Sequence, residues 1–294
     1  MSQRKLIINA DDLGFNQEIT DGIFESHRNG VVTSTTLMVN MPAAEYAVQR
    51  IDEYPNLSVG VHLNLTTGRP LSNPEDIPSI VDSDGLFLDH HVFMSKANRF
   101  QCNAADIERE LAAQFDKCDS LGIKPTHADS HHHSTYCLQV FPVLLKLLKQ
   151  RGYKRMRSHR GWYHRDRCVP RSFSLMKRTL AQNLRRAPQR LYYEAQHLIC
   201  KLRGFKVPDE RYDFYKIVGN RTMGYATDCI PSLIATMPRG VSEMVCHPGY
   251  LSDDPVDDED FRTQRKIELD LMTGDDLKSA LADSDIELVN FTQF

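Results

Sequence analysis

The stretch Lys5-Leu6-Ile7-Ile8-Asn9-Ala10-Asp11-Asp12-Leu13-Gly14 decides how this chain folds. Leu6 to Ile8 is a short apolar run with two β-branched residues, and it predicts a buried strand from Lys5 to Ala10. Two adjacent aspartates end that strand. A helix is expected from Gln17 to Asn29, with Ile19, Ile23 and Phe24 on its apolar face and Gly30 as its stop. A strand closed by acids and followed at once by a helix is half of a βα unit, and the chain repeats that rhythm.

Val31 to Asn40 is rich in Val and Thr and reads as a second strand, Ala43 to Glu53 as a helix, and Leu57 to Leu65 as a third strand. Residues 68–103 carry Pro, Gly, Asp and Asn punctuation and read as a long loop over the strand ends. Ala104 to Leu121 is an amphipathic helix stopped by Gly122, and a fourth strand is expected near Pro125 to Asp129. Leu138 to Lys149 is a strongly apolar helix. Tyr153 to Arg157, Val241 to His247 and Ile286 to Asn290 complete the set of strands. Alternating βα units over 294 residues favour an α/β barrel, whole or partial, with a doubly wound open sheet as the alternative. No Gly-x-Gly-x-x-Gly, Walker sequence or internal repeat is present.

With 41% hydrophobic residues, the length suits one large domain with a substantial core. No signal peptide is read at the start, and no run approaches the ~18 apolar residues of a membrane span. A cytoplasmic protein is therefore expected. The seven cysteines are scattered and include no Cys-x-x-Cys pair, which is poor spacing for disulfides or structural zinc and predicts isolated thiols. The net charge of −3 hides a strong asymmetry. Residues 151–206 hold 16 Lys and Arg against two acids, Asp166 and Glu194, a local +14 that leaves −17 for the remainder. Within them, Arg171 to Arg203 mixes apolar and basic residues, and Pro188 is expected to divide it into two helices.

Chemistry gathers at the expected strand ends. Asp11 and Asp12 cannot point the same way on extended chain, so one can face a metal and the other a reacting centre; a turn that caps the next helix is the plainer use of such a pair. His62 sits in Val59-Gly60-Val61-His62-Leu63, where a hydrogen-bonded core histidine is the common case. Pro125-Thr126-His127-Ala128-Asp129-Ser130-His131-His132-His133 places four histidines in seven residues, which packing alone does not explain. Consecutive residues cannot all face one way, so one or two of His131, His132 and His133 serve the site. His247 ends another apolar strand and is followed by Pro248-Gly249. One carboxylate and two imidazoles can hold a divalent ion and leave a position for water, and barrels carry their sites at this end.

The segments Asn9-Ala10-Asp11-Asp12-Leu13-Gly14, Val32-Thr33-Ser34-Thr35-Thr36, Gly60-Val61-His62-Leu63, Thr126 to His133 and Cys246-His247-Pro248 together resemble the YdjC-like carbohydrate deacetylases. That group includes chitooligosaccharide deacetylase and the hopanoid-associated deacetylases. The resemblance covers about 1–157 and 212–294, in order. It implies a distorted (β/α) TIM-like barrel, one divalent metal ion, and hydrolysis of an N-acetyl group on an amino sugar. By motif position, the metal ligands would be Asp12, His62 and His131, the base Asp11 and the acid His247. Arg157 would contact substrate, and His127 would lie behind the ligands or face the substrate. Two imidazoles and a carboxylate suit Zn or a similar transition ion, whereas Mg prefers an oxygen-rich shell.

Residues 158–211 depart from the family pattern and are expected to form a basic helical insertion within a single 1–294 deacetylase domain. Their alternation of basic and apolar residues suits an anionic partner: a nucleotide-linked or lipid-linked amino sugar, or an anionic membrane surface met peripherally. A homo-oligomer interface and an ordinary solvated helical pair are the other uses of such a segment. Two rival functions stand beside the deacetylase. One is a metal-dependent phosphoesterase. The other is a nucleic-acid or acidic-surface binding protein, against which stand the acidic remainder and the lack of a known binding module, so no nucleic-acid partner is expected.

Overall fold

The computed structural model describes residues 3–158, 160, 173–214, 223–254 and 259–294. Its centre is strand β1 (Arg4–Leu13), buried from Leu6 onward. That near-continuous burial belongs to a parallel strand covered on both faces. Six further strands share its sheet: β2 (Ser34–Leu37), β3 (Ser58–Leu63), β4 (Ala128–Ser130), β5 (Glu210–Asp213), β6 (Gly240–Cys246) and β7 (Ile286–Leu288). They run in the order β4-β3-β2-β1-β6-β5, every pair parallel, and β7 lies against the first residues of β1. Single bridges extend the ladder from Ala128 to Met156 and from Arg155 to Lys206. Arg211 N then donates to Arg160 O at 2.9 Å. Hydrogen bonds thus run from strand to strand around a curled, irregular barrel, the fold expected from the βα rhythm. All strands point their C-terminal ends to one rim.

Helices cover the outside. Helix α1 (Gln17–Arg28) starts at Asn16, whose side chain accepts from Ile19 N–H, and buries Ile19, Ile23 and Phe24. Next come α2 (Ala44–Arg50), α3 (His90–Asn98), α4 (Ala104–Ser120) and α5 (Val140–Gln150). Helix α3 lies in the segment expected to be loop. Asp89 caps it, and Phe93 and Ala97 bury its short apolar face, too brief a pattern to stand out in the sequence. Helix α6 (Phe173–Leu202) is one helix through Pro188, not two. Proline removes a single backbone hydrogen bond, and Tyr193, Gln196, His197 and Cys200 hold the following turns on the barrel. Helices α7 (Met223–Thr236), α8 (Glu259–Thr273) and α9 (Asp275–Ala282) complete the wall. Cys102, Cys118, Cys137, Cys200 and Cys246 are buried free thiols. No helix among the described residues is long and apolar enough to cross a membrane.

Candidate active site

The register between β1 and β2 breaks at the two aspartates. Ala10 faces Thr35 and Leu13 faces Leu37, so Asp11 and Asp12 together oppose Thr36 alone. This is a β-bulge, and Asp12 takes the left-handed conformation it needs, with φ 72°. On an unbroken strand the two carboxylates would point apart; the bulge turns both toward the rim. Both are buried, at 1% exposure.

Around Asp12 stand the two expected imidazoles. His62 occupies the end of β3, paired with Asp129 of β4. Its Nε2 is 3.3 Å from Asp12 Oδ1, and its Nδ1 donates to Asp129 Oδ1 at 2.6 Å. Thr36 Oγ1 lies 3.0 Å from the same Nδ1 and donates to Asp129 Oδ2. His131, just past β4, sets Nδ1 2.9 Å from Asp12 Oδ1. Its two neighbours diverge because both adopt positive φ, 48° at His132 and 56° at His133. His132 Nδ1 turns to Thr66 Oγ1 at 3.0 Å, while His133 faces Asp213 and stacks on Tyr136. Arg265 of α8 donates to Asp12 Oδ2 at 2.8 Å and fixes the carboxylate from behind.

One ligand atom from each of Asp12, His62 and His131 lies within 4.8 Å of the others, an N, N, O donor set that fits a divalent ion. A second triad, Asp11, His62 and Asp129, meets the same distance test. There the Arg157 guanidinium already stands among the carboxylates, 2.6 and 2.7 Å from Asp11 and 2.7 Å from Asp129, so the first triad is the one that suits a metal. The charges agree. Burial alone would raise Asp12, yet His131 and Arg265 hold its carboxyl well below the ordinary range. Burial pushes the His62 imidazole down, but Asp129 and Asp11 outweigh it and lift it to about 10. The pocket therefore attracts positive charge at the place where a cation would sit.

Asp11 faces the same centre from the other side. Burial works to raise it, and Arg157 overrides that and keeps it ionised. The family position of Arg157 predicts a substrate contact, whereas the structure buries it at 2% exposure, tied also to Glu243 at 2.8 Å. His127 is likewise enclosed. Its ring stacks on Phe291 at 3.5 Å, and a Cβ on Gly60 would come within 2.6 Å of it. Its Nε2 donates to Asn9 Oδ1 at 3.2 Å, and Asn9 in turn donates to Asp11 Oδ1 at 2.9 Å. Burial, then Arg157, depress its basicity, in keeping with a neutral ring. Of the two positions expected for His127, it takes the one behind the site.

His247, past the end of β6, sets Nε2 3.9 Å from Asp11 Oδ2 and packs edge-on to Phe261. Burial lowers its basicity, against the pull of Asp11 and Asp12. Its backbone N–H donates to Glu268 Oε2 at 2.6 Å, and burial pushes that carboxyl up to about 8. Asn9, Thr36, Asp129, Glu243, Arg265 and Glu268 support these residues without a motif of their own. Asn9, Thr36 and Asp129 sit inside quoted motifs, and Glu243 is a lone acid in an apolar strand, so those four left a trace. Arg265 and Glu268 come from a distant helix and left none. Aromatic rings can offer a sugar a flat face, and Trp162, Tyr163 and Tyr250 are the candidates in this sequence; Tyr250 is 41% exposed, and Trp162 and Tyr163 lie outside the described residues.

Residues 5–283 match the family model described as YdjC-like protein. A carbohydrate deacetylase of Geobacillus stearothermophilus is 33% identical over 292 residues, covering 99% of this chain and 98% of its own. One of Brevibacillus brevis is 34% identical over 289 residues, covering 98% and 99%. Among solved structures, a protein of Enterococcus faecalis V583 provisionally assigned to cellobiose-phosphate cleavage aligns with a TM-score of 0.75 at 26% identity, covering 99% of both chains.

Proposed function

The chain belongs to the YdjC-like family, and on that premise we propose that it is a metal-dependent carbohydrate deacetylase that removes an N-acetyl group from an amino sugar. The observation that carries this reading is the Asp12, His62 and His131 donor triangle with Asp11 beside it and His247 beyond. A divalent ion held by the triangle would lower the pKa of a bound water toward ~7 and polarise the acetamide oxygen. Asp11, kept ionised by Arg157, takes the proton from the attacking water. The water oxygen joins the acetyl carbon; the proton passes from Asp11 to His247 Nε2, 3.9 Å away, and from there to the departing nitrogen as the carbon–nitrogen bond breaks. The products are acetate and a free amine. Asn9 and His127 hold Asp11 in its rotamer from behind, and Asp129 fixes the His62 tautomer.

The +14 of residues 151–206 supports an anionic carrier on the sugar, a nucleotide or a lipid phosphate. A metal-dependent phosphoesterase is the second reading, since a divalent ion held by Asp12, His62 and His131 would also suit hydrolysis of a phosphate ester. One panel tests both. Free, nucleotide-linked and lipid-linked N-acetylated sugars should lose the mass of an acetyl group, with stoichiometric acetate release that a chelator abolishes. Phosphate release from p-nitrophenyl phosphate without acetate from any sugar would replace the first reading by the second.

A further inference from the structure

Helix α6 meets the barrel through Tyr193, Gln196, His197 and Cys200, spaced as one face of a helix. Tyr193 packs edge-on against Tyr136 at 5.4 Å, His197 Nδ1 lies 3.0 Å from Ser158 Oγ, and Cys200 Sγ lies 3.6 Å from Met156 Sδ. The opposite face should be polar. Instead it carries Leu191, Ala195, Leu198 and Leu202, one turn apart along the side away from the barrel. The three leucines are 70%, 56% and 78% exposed, with Ile199 beside them. Helical geometry puts Arg190 and Lys201 on one flank of this stripe, the latter paired with Asp209 at 2.8 Å, and Arg203 on the other, all exposed.

We propose that this face of α6 docks the protein on an anionic lipid bilayer, the leucines entering the interfacial layer and the flanking cations meeting headgroup phosphates. An apolar stripe bordered by Arg and Lys is the pattern of a helix that lies in a membrane surface. Charge selects this occupant over a second copy of the chain. A symmetric stripe-to-stripe contact would bring the cationic flanks of two copies together, whereas an anionic surface attracts those flanks. A soluble polyanion would satisfy the cations and leave the leucines in water. Docking also concerns the site, because Tyr136, under Tyr193, lies in the His131–Tyr136 turn that carries His131. The proposal stands on the helix face and its flanking charges and does not depend on the reaction assigned above.

Co-sedimentation of the full chain with vesicles tests it. Binding should be strong to mixed phosphatidylglycerol and phosphatidylcholine, weak to phosphatidylcholine alone, and should fall as salt rises. The variant Leu191→Ser/Leu198→Ser/Leu202→Ser should keep its circular dichroism and unfolding midpoint, since these side chains face outward, and lose at least ~10-fold in partition coefficient. Arg190→Ser/Arg203→Ser, with the leucines intact, should weaken binding to anionic vesicles and flatten its salt dependence. Undiminished binding by both variants, or equal binding of the wild type to neutral and anionic vesicles, would overturn the proposal. So would a concentration-dependent dimer in the wild type that the leucine variant abolishes while vesicle binding persists.

Discussion

Asp129 accepts a 2.6 Å hydrogen bond from His62 Nδ1, which leaves Nε2 directed at Asp12. A carboxylate behind an imidazole ligand fixes its tautomer and strengthens it as a donor. Asp129→Asn should therefore weaken metal binding by roughly 10–100-fold, read by chelator competition. His62→Ala and His131→Ala should bind no metal. Full metal affinity in Asp129→Asn would detach Asp129 from the metal centre.

The adjacent aspartates should separate by assay. Asp11→Asn should keep its metal and lose roughly 10²–10⁴ in kcat, the usual worth of a positioned base. Asp12→Asn should lose metal first and recover part of its activity when metal is added in excess. Rescue of Asp11→Asn by metal, and not of Asp12→Asn, would exchange the two roles.

His127 and Arg157 should behave as supports of Asp11. His127→Ala opens a cavity between Gly60 and Phe291 and strands Asn9, at a cost of about 2–4 kcal/mol in urea unfolding. Removing Arg157 leaves Asp11, Asp129 and Glu243 buried together without their cation, and Arg157→Met should cost about 3–5 kcal/mol. Unchanged stability with a raised KM in either variant would return that residue to the substrate.

Glu243 gives a pH test. Burial pushes its carboxyl from the ordinary 4.5 up to about 7, against the pull of Arg157. The folded value lies above the unfolded one, so its stabilisation is fully present below about 4.5 and is lost as pH rises through about 7. Glu243→Gln has no such loss, and it should gain on the wild type by about 3 kcal/mol across that window. A stability difference that stays flat with pH would mean that Arg157 keeps Glu243 ionised throughout.

Much of this architecture could be read from the chain because its signals are local. Leu6 to Ile8 is apolar and β-branched, Gly30 and Gly122 stop helices, and His62 and His247 each close an apolar run. What escaped depends on residues far apart. The positive φ of Asp12 follows from its pairing with β2, and no pattern in β1 announces it. Arg157 looks like any strand-end arginine until three carboxylates from β1, β4 and β6 converge on it. Arg265 reaches Asp12 across 253 residues of chain. Pro188 is a breaker by composition and is overruled by the packing of the turns after it.

The bulge in β1 lets two consecutive residues of one peptide serve as the proposed base and its neighbouring ligand. Their spacing is therefore a matter of bond lengths and a single backbone torsion, insulated from how the barrel wall breathes or how rim segments are rebuilt. Chimeras that exchange the residues between Arg160 and β5 among relatives should thus keep the hydrolytic pair, which travels unaltered with the first strand.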